Sequence, residues 1–128
     1  MPKRSIKRDE FHLVLIFEAI NKIEKYAKDK KYSKYLGDEL IFDAISLNLS
    51  IIGERVKSLS DSFRKRNPQI TYKKIIGMRN FLTHEYHKIQ KKIVWETCRD
   101  DIPALKKIIL ENLKKYSDQK HAPKLKNK

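Results

Sequence analysis

The stretch Asp38-Glu39-Leu40-Ile41-Phe42-Asp43-Ala44-Ile45-Ser46-Leu47-Asn48-Leu49-Ser50-Ile51-Ile52-Gly53-Glu54-Arg55-Val56-Lys57-Ser58-Leu59 decides the fold. Ile41, Ile45, Asn48, Ile52, Val56 and Leu59 recur every three or four residues, the period of a helix that buries one face. Asp38 stands where a capping carboxylate takes the first free backbone N–H groups. The spacing predicts one helix of about 21 residues, the longest in the chain.

Working outward, the segment before it repeats the pattern. Phe11, Val14, Leu15, Ile20, Ile23 and Ala27 follow Asp9 at helical spacing, and lysines between Lys28 and Lys34 end the run. After the long helix, Ser58 to Pro68 is polar and basic and closes on Asn67-Pro68, which predicts the main loop. Thr71 then caps a third helix through Ile75, Ile76 and Arg79 towards Thr83, with Ile70 as the apolar staple before the cap. A fourth pattern runs from Ile89 through Val94 and Cys98 to Arg99. At Pro103 the spacing predicts a kink or a fresh start capped by Asp100 or Asp101, and the last helix ends near Tyr116. The expected architecture is all-α, an antiparallel bundle of four to five helices over residues 1–116, followed by a basic tail without structure over 117–128.

Composition agrees. The chain has 128 residues, room for one domain. With 40% hydrophobic residues it supports one core, and three glycines with four prolines are too few for a β-sandwich built on tight turns. Cys98 is the single cysteine, which excludes a disulfide framework and a zinc knuckle and fits a reducing cytoplasm. The N-terminus is basic, but Asp9, Glu10, His12 and Glu18 interrupt the apolar residues after it, so neither a signal peptide nor a membrane span is expected. Lys and Arg number 30 against 16 Asp and Glu, a net charge of +14 that points to a polyanionic partner. Residues 64–92 hold Arg64, Lys65, Arg66, Lys73, Lys74, Arg79, Lys88, Lys91 and Lys92 against Glu85 alone.

That basic region contains Arg79-Asn80-Phe81-Leu82-Thr83-His84-Glu85-Tyr86. Arg79 shares a helical stripe with Tyr72, Ile75 and Ile76, so its guanidinium lies at the edge of a buried face and needs an anion. An Arg and a His together suit phosphodiester cleavage without a metal. The guanidinium forks onto a phosphate and stabilises developing charge, and an imidazole titrating near neutrality moves the proton. On a continuous helix an i,i+5 pair is about 140° apart, so convergence of the two side chains requires the helix to end near Thr83. A structural alternative pairs Arg79 with Glu54 and leaves His84 as an ordinary surface residue. A metal reading of His84-Glu85-Tyr86-His87 fails, because the zinc-protease spacing puts the second ligand at Lys88. No metal or cofactor is expected.

The octad fits R-x-x-x-x-H-x-Y and resembles the signature of the HepT-like toxins of the HEPN superfamily. The likeness extends to Ile51-Ile52-Gly53-Glu54, to the lead-in from Pro68 to Met78, and to Val94-Trp95 with Asp101-Ile102-Pro103. It departs at Tyr72, where the family often has Trp, and at Glu85, where a small residue is common. The resemblance implies a helical bundle that forms a homodimer with both motifs facing one cleft. It implies a metal-independent endoribonuclease toxin acting on RNA, with Arg79 and His84 catalytic and Asn80 and Glu54 supporting. It also implies a cognate antitoxin, a minimal nucleotidyltransferase (MNT), that transfers AMP to Tyr86. A second class stays open: a non-catalytic HEPN-like module that binds nucleotide or nucleic acid, or serves a nucleotidyltransferase as a helical partner subunit.

Overall fold

The computed structural model describes the backbone of residues 3–27, 38–84 and 91–126, and the side chains of 7–27, 38–84 and 91–119. In chain order it holds α1 (Lys3–Ala27), α2 (Glu39–Lys57), α3 (Asp61–Arg66), α4 (Tyr72–His84), α5 (Lys91–Glu96), a π-helical turn (Thr97–Asp101) and α6 (Ile102–Lys126). The described residues contain no strand, and none of their helices is long and apolar enough to cross a membrane. The fold is an all-α helical bundle.

Four side-chain ties show how the helices run. Asp9 near the start of α1 reaches Ser60 just beyond the end of α2, and Glu24 near the end of α1 pairs with Lys106 near the start of α6 at 2.6 Å. Asn67 meets Asn112, while Lys74 pairs with Asp101 at 2.7 Å. As the chain advances along one element it retreats along its neighbour, so α1 is antiparallel to α2 and α6, and α4 to α6. The core between them is Leu13, Ile16, Ile20, Ile23, Ile45, Ile52, Val56, Phe63, Val94, Ile102 and Ile109, each under 3% exposed. Leaving such side chains in water forfeits about 1.5–3 kcal/mol apiece, so this row holds the helices together.

Several local expectations change. α1 begins at Lys3, and its core face is Leu13, Ile16, Ala19, Ile20 and Ile23; Phe11 stays 57% exposed, with the Arg55 guanidinium 5.6 Å above its ring. Asp9 caps no start of α1. It is 1% exposed, and its carboxylate accepts from Ser60 N (2.9 Å) and Ser60 Oγ (2.6 Å), while Ser60 Oγ accepts from Phe63 N (3.1 Å). One buried carboxylate therefore holds the N-cap of α3 to α1. The expected loop from Ser58 to Pro68 contains that helix, hidden in polar composition because a turn and a half needs only one buried anchor, Phe63. Asp38 does cap α2, accepting from Ile41 N at 3.0 Å.

Pro103 does not restart the chain behind an Asp cap. A proline ring clashes with the carbonyl four residues back and donates no N–H to it. Here the preceding turn widens, so that Ile102 N–H bonds Thr97 O five residues back, and the helix passes into α6 without a break. Asp100 instead binds Arg99 through two 2.8 Å hydrogen bonds, and Asp101 holds Lys74. α6 then continues to Lys126, past the Tyr116 boundary where a tail without structure was expected.

Candidate active site

Helix α4 carries the site and is regular from Tyr72 to His84. Its inner face is Ile75, Met78 and Leu82, all buried. The carbonyl of Thr71 takes the N–H of Ile75 at 3.0 Å, the first bond of the helix, and Ile70 is buried just ahead of it. The Tyr72 hydroxyl donates to Asn67 O at 2.7 Å, and the Arg64 guanidinium lies 5.2 Å from the Tyr72 ring centre. The start of α4 is thereby tied to the end of α3.

Arg79 sits where α4 comes closest to α2, and Gly53 makes that approach possible. A Cβ at position 53 would collide with Arg79 Cβ and press on the Ile75 carbonyl at 3.1 Å. The next residue, Glu54, meets the guanidinium: Arg79 Nη2 lies 2.8 Å from Glu54 Oε2. On its other branch Arg79 Nη1 donates to Asn80 Oδ1 at 2.9 Å. Arg79 is 24% exposed and Glu54 51%. Each terminal nitrogen keeps a second N–H, so the fork stays available to an incoming anion.

His84 is exposed at the last described turn of α4. The helix does not end before it, so His84 leaves the axis about 140° from Arg79 and about 7.5 Å further on. The two residues do not converge directly. Asn80 lies between them, one turn before His84 on the same face, and holds one branch of the guanidinium. Glu54, Arg79 and Asn80 thus form a connected polar line from α2 onto α4, with His84 one turn further along. Tyr86, the fifth site residue expected from the sequence, lies outside the described residues.

The face of α4 opposite the core is Lys73, Gly77, Asn80 and His84, all exposed. A Cβ on Gly77 would meet nothing within 4 Å among the described residues, and its backbone has ordinary helical φ. An exposed glycine inside a helix costs about 1 kcal/mol relative to alanine. Spacing alone did not single this residue out. The signal was available, in a glycine set four residues after Lys73 and seven before His84.

Elsewhere Trp95, Cys98, Ile102 and Pro103 line a mostly apolar cavity of about 290 Å³ with Ile23 and Ala27. Burial pushes the Cys98 thiol up to about 12, which leaves it protonated and makes it a core residue.

An all-helical bundle that presents the Arg and His of an R-x-x-x-x-H-x-Y sequence on one helix, backed by a glycine and a glutamate from its neighbour, is a HEPN domain. The chain belongs to the HepT-like ribonuclease family, whose model, described as ribonuclease HepT-like, matches residues 16–112. It is 36% identical over 107 residues to a candidate RNase of Methanocaldococcus jannaschii, covering 84% of this chain and 86% of that one. It is 33% identical over 91 residues to a protein of Thermococcus cleftensis named as a probable ribonuclease HepT, covering 71% and 83%. A candidate RNase of Caldanaerobacter subterraneus is 38% identical over 88 residues, covering 69% and 79%. No solved structure matches the chain.

Proposed function

We propose that this protein is a metal-independent endoribonuclease and the toxin of a toxin–antitoxin pair. The observation that carries the reading is the set of contacts from Glu54 through Arg79 to Asn80, one turn before His84, with Arg79, Asn80 and His84 inside the basic segment 64–92. Membership of a family named for ribonuclease activity supports it.

In this reading the scissile phosphate lies between the guanidinium and His84. Glu54 and Asn80 fix two branches of Arg79, whose remaining N–H groups fork onto the non-bridging phosphate oxygens. The ribose 2′-oxygen attacks phosphorus and the bond to the 5′-oxygen breaks. An imidazole takes the 2′-proton or supplies the proton that the 5′-oxygen gains. The products are a 2′,3′-cyclic phosphate and a 5′-hydroxyl end. Charge stabilisation and proton transfer both come from side chains, so the reaction needs no metal and no cofactor. The octad of one chain holds a single imidazole, His84, for two proton transfers. A homodimer with both motifs facing a shared cleft supplies the second, and its antitoxin is a minimal nucleotidyltransferase that transfers AMP to Tyr86.

The decisive experiment is cleavage of a labelled RNA in EDTA with mapping of the ends. Wild type leaves cyclic or 3′-phosphate ends, and His84→Ala and Arg79→Ala each lose on the order of 100-fold to 10,000-fold. Light scattering gives twice the chain mass. Unchanged rates in both variants would refute the site.

A second reading has one observation behind it: the 2.8 Å ion pair with Glu54 already gives Arg79 an anion. A non-catalytic module that binds nucleic acid or a nucleotidyltransferase would use the same basic surface. It predicts RNA binding without cleavage, and growth that is unaffected by expression of the chain alone.

A further inference from the structure

Gly77 is the unexplained residue of α4. Glycines inside helices answer to a positive φ, to close packing, or to an approach from outside. Gly77 has helical φ and, among the described residues, no neighbour that a Cβ would touch. The described residues give it no cause in packing, and its surroundings favour an approach from outside. Its surroundings say what kind of body approaches. Lys73 and His84 are eleven residues apart, which on a helix is about 20° in angle and about 16 Å in length, so both lie on the outward stripe that Gly77 interrupts. Lys73 has no carboxylate partner among the described residues, unlike Lys74, which Asp101 holds. Asn80 lies on the same stripe, its carbonyl taken by Arg79 and its amide group still able to donate. Phe81, 42% exposed and one turn beyond Gly77, offers an aromatic face to an unpaired base.

We propose that a single RNA strand lies along this stripe, with its sugar–phosphate backbone coming closest to α4 at Gly77 and Lys73 holding a phosphate upstream or downstream of the bond at His84. The missing side chain lets the backbone of the strand sit against the helix. Lys73 then sets how the strand is registered on the cleavage point. A second copy of the chain fits this stripe less well, since Lys73, Gly77, Asn80 and His84 offer no carboxylate for the Lys73 of another copy. The inference rests on the ribonuclease reading and extends it from the cleaved bond to the path of the flanking strand.

The test uses the full chain and a short 2′-O-methyl RNA of mixed sequence, which binds without being cut, titrated by fluorescence anisotropy at several salt concentrations. Gly77→Gln is expected to melt at or above the wild-type temperature, because glutamine is the better helix former, yet to bind at least tenfold more weakly. Lys73→Ala should also bind more weakly, with a slope of log affinity against log salt shallower by about 0.7. Lys25→Ala, an exposed change on α1, should do neither. Wild-type affinity in Gly77→Gln overturns the proposal. A lower melting temperature in that variant overturns it as well, because the glycine then serves the fold, and so does a changed mass in light scattering, which would make the occupant a second copy. A wild type that neither binds nor cuts RNA sinks the ribonuclease reading itself, an outcome visible before any variant is compared.

Discussion

Gly53 on α2 and Arg79 on α4 share one point of closest approach: the space where a side chain would begin at position 53 is filled by Arg79 Cβ. The contact is backbone-deep on both sides, so neither helix can yield by turning a rotamer. It places Glu54, the next residue, against the guanidinium.

Gly53→Ala is therefore expected to destabilise the fold by about 1–3 kcal/mol, the range for overpacked sites. Urea denaturation followed by circular dichroism measures it. Cleavage should fall further than stability does, because the helix that carries both Arg79 and His84 is displaced.

Glu54→Gln separates packing from chemistry. The ion pair is half open to solvent, and such pairs contribute about 0–1 kcal/mol, so the melting temperature should barely move. If Glu54 positions Arg79, the rate falls by up to about 100-fold, mostly in kcat. A faster enzyme would show instead that Glu54 competes with the RNA phosphate for Arg79.

Tyr86 is the proposed site of control. Co-expression with a neighbouring nucleotidyltransferase should add one or more AMP masses to the wild type and none to Tyr86→Phe, as read by intact-mass spectrometry. Tyr86→Phe should stay toxic in its presence, because the ring remains and only the acceptor oxygen is lost.

His12 makes stability depend on pH. Its pKa is lowered, first by burial and then by the Arg55 guanidinium, against an opposing pull from Asp9, and its Nδ1 is buried with no hydrogen-bond partner among the described residues. The unfolded chain therefore binds a proton at a pH where the folded one does not, so stability is complete above the ordinary value of 6.5 and falls as pH drops below it. Thermal melts between pH 7.5 and pH 5 should show a steeper loss in wild type than in His12→Gln.

The helical class, the long α2 with its Asp38 cap and the staple at Ile70 were all legible in the sequence, because period and capping are local properties. Arg79 and His84 stood out there by residue type, whereas Glu54, Asn80 and Tyr86 were marked as site residues only by the family resemblance. The cap on α3 was not legible, since its carboxylate, Asp9, lies 51 residues away. Nor was the passage through Pro103, where a polar sequence suggested a restart and the backbone widened into a π turn. Arg79 and His84 follow the same division. The sequence by itself determined that both stand on α4, five residues apart. Only the tertiary structure decided that Gly53 admits α4 against α2 at Arg79 and that Glu54 meets the guanidinium there. The reason is physical: a helix sets angles within itself, whereas the neighbour that a side chain meets depends on which helix packs beside it and how closely.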